Sequence, residues 1–117
     1  MSPRFLTDAD FNGRTIAGIA RREPALELMT ADDADLRGRP DEVVLDYAAT
    51  HGLLLLSHDY TTMPAAAIQR IKSGLAMTGL VMVPQRHRMR IVIDDVVLIW
   101  AASDADEWIG RIEYLTG

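Results

Sequence analysis

The chain contains no cysteine, which rules out a disulfide framework and any thiolate metal site and fits a reducing interior. No apolar run approaches the roughly 18 to 20 residues that a membrane span needs. The first apolar stretch is cut short by Asp8, so no secretory signal is expected and a cytoplasmic setting is the simplest. Positive charge is scarce, with 12 Lys and Arg against 17 Asp and Glu and a net charge of -5. That disfavours coating of nucleic acid by bulk electrostatics, which depends on neutralising several phosphates with basic side chains. It leaves room for an enzyme that meets nucleic acid through a metal, because a bound cation reverses the local sign of an acidic pocket. Repeats, low-complexity stretches and linkers are also missing, and 117 residues suit a single domain over 1–117.

What is present is an ordinary globular composition, 49% hydrophobic and 25% charged, which favours neither disorder nor a fibrous class. Its order along the chain is more telling. Arg4-Phe5-Leu6-Thr7 predicts a short buried strand that runs into a loop carrying Asp8 and Asp10. Asn12 is placed to cap a helix with Ile16, Ile19 and Ala20 on one face and Pro24 as its stop. A second strand is expected over 26–29, with Glu27 marking a more exposed position. Residues 30–39 form a polar connector over the surface, in which Asp32, Asp33 and Asp35 are read as solvated. Pro40 opens a helix that turns Val44, Leu45 and Ala48 inward and stops at Gly52.

Leu53–Ser57 is an unbroken apolar run, the pattern of a parallel strand covered on both faces. It ends in His58 and Asp59. A third helix follows from Pro64 to Gly74, with Ala67, Ile68 and Ile71 on its buried side, and a fourth strand covers 80–83. Residues 85–90 form a basic turn. Length favours a helix over Met89–Ala102, since a strand of that extent is rare. Ser103 or Asp104 caps a last short helix ending at Trp108, and 111–115 alternates like an edge strand. Trp100, Trp108 and the six methionines read as packing residues. Strands alternating with helices predict an α/β domain with three α/β/α layers and a mostly parallel sheet of about five strands.

In such a sheet, ligands gather outside the carboxyl ends of the strands. Of Asp8, Asp10, Asp41 and Asp59, three lie just past a strand or in the first turn of the helix after a strand–loop unit, which places them on one rim. Asp8 and Asp59 end side by side if the first and third strands are neighbours. Carboxylates crowded together repel unless a cation is present. A hard divalent ion such as Mg²⁺, held by a few carboxylates and waters, relieves that repulsion and activates water toward a phosphoryl centre. Each acid also has a structural reading: an Asp after a strand caps turns, and Asp41 beside Pro40 complements the helix dipole. His58 is either a ligand or general base or a structural loop histidine, and His51 suits a helix carboxyl end. The turn holding Arg86, His87, Arg88 and Arg90 is either solvated or in contact with a phosphate backbone.

Leu6-Thr7-Asp8-Ala9-Asp10-Phe11-Asn12, then Gly38 with Asp41 and Val44-Leu45, then Leu55-Leu56-Ser57-His58-Asp59 with Thr62-Met63-Pro64, and finally Glu107-Trp108 before Arg111-Ile112-Glu113-Tyr114-Leu115, resemble the PIN-like family labelled domain of unknown function 5615. The resemblance covers nearly the whole chain. It implies a PIN-type fold and Mg²⁺- or Mn²⁺-dependent cleavage of RNA, often by the toxin of a bacterial toxin–antitoxin pair, with an antitoxin protein as partner. Carried over by position, Asp8, Asp10, Asp41 and Asp59 would be the metal ligands, and Asp8, Asp41 and Asp59 the catalytic acids. Asn12, His58, Arg86 and Arg88 are the candidate substrate contacts. The family usually carries Glu where this chain has Ala9, a departure that weakens or removes activity if that Glu helps hold the metal.

Two other expectations compete with a nuclease. One is a catalytically silent PIN-like binding module. The other is a receiver-like phosphoacceptor domain, which also sets acids after the first strand against an Asp after the third but expects a Lys at the end of a later strand. The apolar content of Met89–Ala102 adds the expectation of a homodimer.

Overall fold

Leu53–Ser57 forms the central strand, β3, of a sheet whose other members are β1 (Arg4–Thr7), β2 (Leu28–Thr30), β4 (Leu80–Met82) and β5 (Ile112–Tyr114). All pairings are parallel and the order is β2-β1-β3-β4-β5. The computed structural model describes residues 1–116. Four helices connect the strands: α1 (Gly13–Arg22), α2 (Asp41–His51), α3 (Met63–Lys72) and α4 (Met89–Ala102). A one-turn 3₁₀ helix, Ala105–Trp108, precedes β5.

The alternation of side chains along each strand builds two cores back to back. Leu53 and Leu55 of β3 join Leu6, Leu80 and Met82 under α2 and α3. Leu54 and Leu56 join Phe5, Val81 and Val83 under α1 and α4. The result is a three-layer α/β/α arrangement, and it explains why β3 needs apolar residues at successive positions. None of the described helices is long and apolar enough to cross a membrane.

Local chemistry sets the helix ends. The Asn12 side chain accepts hydrogen bonds from the N–H groups of Arg14 (2.9 Å) and Thr15 (3.2 Å), as expected of a cap. Asp41 and Glu42 occupy the first turn of α2, and Gly52 ends it in the left-handed conformation at φ 66°. Pro64 lies in the first turn of α3. Helix α4 has the expected bounds, and Asp104 with Glu107 forms a capping box on the 3₁₀ turn.

Four details differ from the expectations. Strand β2 runs over Leu28–Thr30 rather than 26–29, because Phe5 pairs with Leu28 and Leu26 is buried before the strand begins. Helix α1 turns Thr15, Gly18 and Ile19 inward and leaves Ala20 exposed. Gly18 faces Ile93 so closely that a Cβ there would collide with the Ile93 side chain, which lets α1 lie tight against α4. On α3 the buried residues are Met63, Pro64 and Ala67, while Ile68 and Ile71 are exposed. The connector over residues 30–39 is anchored by Ala31 and Leu36, both buried in the core beneath α2 and α3.

Candidate functional site

A parallel sheet in the order 2-1-3-4-5 has its switch point between β1 and β3, because the helices that leave these neighbouring strands diverge to opposite faces. Here α1 leaves β1 toward one face and α3 leaves β3 toward the other. The crevice that opens at their carboxyl ends has a volume of about 660 Å³ and is lined by Asp8, Asp10, Asp41 and Asp59, with Arg39 and Tyr60 at its side. A smaller depression of about 170 Å³ lies at the opposite end of the strands, beside Pro3, Gly52 and Thr78. Its one carboxylate is Asp106.

Asp8 and Asp59 are joined through one hydroxyl. Ser57 Oγ donates to Asp8 Oδ2 at 2.8 Å and accepts from the Asp59 N–H at 3.0 Å. The second oxygen of Asp8 accepts from the Ala9 N–H at 2.9 Å. Ser57 is fully buried and is the one polar residue of β3. That contrast is the signal by which sequence reasoning, which passed it over, would have found it. Leu6 pairs with Leu55 and Thr7 with Leu56, so the register of β1 on β3 brings the two strand ends to the same level.

Asp59 is further held by the turn that starts α3. Its Oδ1 accepts from the N–H groups of Thr61 (2.9 Å) and Thr62 (3.0 Å), and its Oδ2 accepts from the Thr62 hydroxyl at 2.5 Å. The Thr62 hydroxyl, followed by the two backbone donors, holds the Asp59 carboxyl below its ordinary value against the opposing effect of burial. A folded-state value below the unfolded one means that Asp59 stabilises the fold in full above the unfolded carboxylate range and loses that contribution as pH falls through the lowered value. Thr62→Val is therefore expected to raise the Asp59 titration midpoint and to lower stability most near neutrality, with the deficit closing in acid. Carboxyl NMR titration and denaturant unfolding across pH check this, and an Asp59 midpoint unmoved in the variant would dismiss the Thr62 hydroxyl as the cause.

Asp10 is almost fully exposed and faces Arg37 Nη1 at 3.7 Å. The same guanidinium donates to Asp32 Oδ1 at 2.6 Å and to the Ala9 carbonyl at 2.9 Å. It holds the Asp32 carboxyl below the ordinary range, and is itself pushed up by Asp32 and, more weakly, by Asp10. Arg37 thus ties the connector to the loop after β1, a role invisible along the chain. Asp33 caps the turn at Thr30 by reciprocal bonds, which accounts for it structurally.

His58 lines the crevice, yet both ring nitrogens are engaged. Nε2 accepts from the Asn12 N–H at 3.3 Å, so Nδ1 carries the proton and donates to the Val83 carbonyl at 2.8 Å. The ring also stacks on Phe11 with centroids 4.2 Å apart. Its visible work is to lock the loop after β1 onto the ends of β3 and β4. Asn12 stands outside the lining and caps α1. From the basic turn, Gln85 reaches the crevice, whereas Arg86 and Arg88 do not line it. His51 accompanies the end of α2, stacked on Tyr47.

The donors available to a metal are all carboxylate oxygens, the ligand type of a hard divalent cation rather than of zinc or copper. They line one crevice without forming a closed cage: among the described residues no three His, Asp or Glu side chains are gathered as a ligand set. An ion bound there would have to keep most of its waters. No family model, curated protein or solved structure matches the chain.

Proposed function

We propose that the protein is a Mg²⁺- or Mn²⁺-dependent ribonuclease of the PIN-like class, acting as the toxin of a bacterial toxin–antitoxin pair. The observation that carries this reading is the pairing of β1 with β3, which sets Asp8 and Asp59 at one end of the sheet, linked through Ser57. Asp8 and Asp59 would hold the ion, with Asp41 and Asp10 on the same crevice supplying outer contacts through water. A bound divalent ion supplies charge for a phosphoryl oxygen and a water of lowered pKa. The chain's own part is to fix the carboxylates through Ser57, Ala9 and Thr62, and to present Arg39 to a phosphate. Arg39 lines the crevice and has no ion-pair partner within 4 Å among the described residues. Ala9 brings no carboxylate where the family has Glu, so three acids and Asp10 would have to suffice.

The strand order 2-1-3-4-5 also favours a receiver-like phosphoacceptor, since that order is common to such switches. Two features weigh against it. Asp59 accepts three hydrogen bonds, which hold both of its oxygens. The single lysine of the chain, Lys72, ends α3, and a helix that runs back antiparallel to the strands carries its end away from the crevice.

Inducible expression in a bacterial host, following growth and RNA integrity, tests the proposal. Growth arrest with RNA breakdown is expected, and purified protein is expected to cleave single-stranded RNA with Mn²⁺ or Mg²⁺ and to stop when the metal is chelated. Cleavage that survives chelation would exclude the metal mechanism. Labelling of Asp59 by a small phosphodonor would favour the receiver reading, and intact folding with neither activity would favour a binding module.

A further inference from the structure

We propose that Tyr60 and Tyr114 form a stacking platform for an unpaired nucleobase at the mouth of the acidic crevice. This rests on the reading of that crevice as a site for RNA. The chain has seven aromatic residues, of which Phe5, Phe11 and Trp108 are buried and Tyr47 and Trp100 half-buried. Only Tyr60 and Tyr114 are exposed, at 44% and 50%, and these two are in contact with each other, ring centroids 5.7 Å apart at an interplanar angle of 47°. Chance would scatter exposed aromatics over the surface. Here both stand at one place, and Tyr60 lines the crevice with the carboxylates.

Tyr60 follows Asp59 directly and lines the crevice, and its N–H donates to the His58 carbonyl at 3.1 Å, which fixes the backbone beneath the ring. Tyr114 ends β5, in register with Met82 of β4, so the pair extends from the crevice to the β5 edge of the sheet.

The surroundings decide what the platform meets. An apolar peptide laid across Tyr60 would cover Asp59 and Asp41 without satisfying them, at a high desolvation cost. A nucleobase brings a flat π-face for the rings, while its phosphate falls to Arg39 and to the cation held by the carboxylates. A duplex keeps its bases stacked inside and offers no face, and the net charge of -5 gives it no electrostatic footing. Single-stranded RNA fits both constraints, with little preference among bases because every base has a π-face.

The test is the affinity of a short fluorescein-labelled single-stranded RNA, measured by anisotropy with Ca²⁺ as a non-cleaving ion, and compared with the same RNA made abasic. Tyr60→Ala is expected to weaken binding about 5- to 150-fold, the range for loss of one stacked base. Tyr60→Phe, which keeps the ring, should bind like the wild type, and the abasic RNA should be insensitive to Tyr60→Ala. Tyr114→Ala should weaken binding in the same direction. Equal affinity of Tyr60→Ala and wild type, or an equal loss on abasic RNA, overturns the platform. If wild type still cleaves with Mn²⁺ in that case, the nuclease reading stands without it. Tyr60-dependent binding with no metal-dependent cleavage would retain the platform and remove the nuclease. A folded wild type that binds no RNA overturns both.

Discussion

Asp8→Asn is expected to lower metal-dependent RNA cleavage by about 10³-fold, corresponding to roughly 4 kcal/mol of lost transition-state stabilisation, and to abolish measurable Mn²⁺ binding. The substitution is nearly isosteric, so the effect isolates charge. An Asn at this position retains an acceptor for the Ala9 N–H, now at 2.9 Å. With that oxygen engaged, the amide N–H faces Ser57, whose hydroxyl can accept it but loses Asp8 as its own acceptor. The buried hydroxyl is thereby left short of a partner, so the variant is expected to melt several degrees lower while staying folded. Asp59→Asn should lose cleavage in the same way. Its amide oxygen can keep the N–H bonds from Thr61 and Thr62. The Thr62 hydroxyl loses its carboxylate acceptor, and with it part of the stability that the charge supplies near neutrality. Calorimetric titration of Mn²⁺ and a cleavage assay on the two variants check the prediction together with a thermal melt. Full cleavage by either variant would remove the proposed site. Failure of both to fold would instead mark the Asp8–Ser57–Asp59 link as structural.

The largest effect on stability is expected far from that link. Gly79 precedes β4 with φ 127°, and a Cβ added there would stand 2.6 Å from Leu54 Cδ1, 2.8 Å from the Trp108 carbonyl oxygen and 3.0 Å from Trp108 Cβ. One of these neighbours is backbone, and Leu54 and Trp108 are both core residues. The Gly79 carbonyl also accepts from the Leu55 N–H at 3.1 Å, so the segment cannot swing away without loosening β3 from β4. Conformational strain and overpacking together predict a loss of about 3–5 kcal/mol for Gly79→Ala, or roughly 10–20 °C in melting temperature for a domain of this size. Gly13→Ala provides the contrast. Nothing lies within 4 Å of a Cβ at Gly13 and its φ is not positive, so that variant should melt within a few degrees of the wild type. Denaturant unfolding of the two variants side by side checks the difference.

Much of the architecture is legible in the chain because local and tertiary demands coincide. Leu53–Ser57 needs apolar residues on both faces and has them, Asn12 and Gly52 mark real helix ends, and Met89–Ala102 is too long for a strand. On α1, Ile19 is buried and Ile16 packs against the core as the spacing predicts, while Ala20 faces out and Gly18 is buried for closeness to Ile93 rather than for hydrophobicity, a reason no periodicity displays. On α3 the small residues Pro64 and Ala67 face the sheet while Ile68 and Ile71 face out, inverting the usual pattern. Asp8, Asp10 and Asp59 stand out for their place after strands and Asp41 for its place in a first helical turn, and all four line one crevice. Arg37 and Tyr60 could not be found that way. Arg37 meets Asp10 only through the fold of the connector, and Tyr60 meets Tyr114 only through the place of β5 in the sheet.

The hydrogen bonds at Asp8 and Asp59 also limit what the crevice can offer an ion. Two carboxylates present about eight lone-pair positions between them. Ala9, Ser57, Thr61 and the two donors of Thr62 take up five, leaving about three. A hard cation with six places in its coordination sphere must fill the rest with water or with oxygens that the substrate brings. A bare ion then gains less from the protein than one arriving with a phosphate. Selectivity among ions would accordingly lie in the hydration shell they retain, and the ion would be held more tightly with substrate than without it.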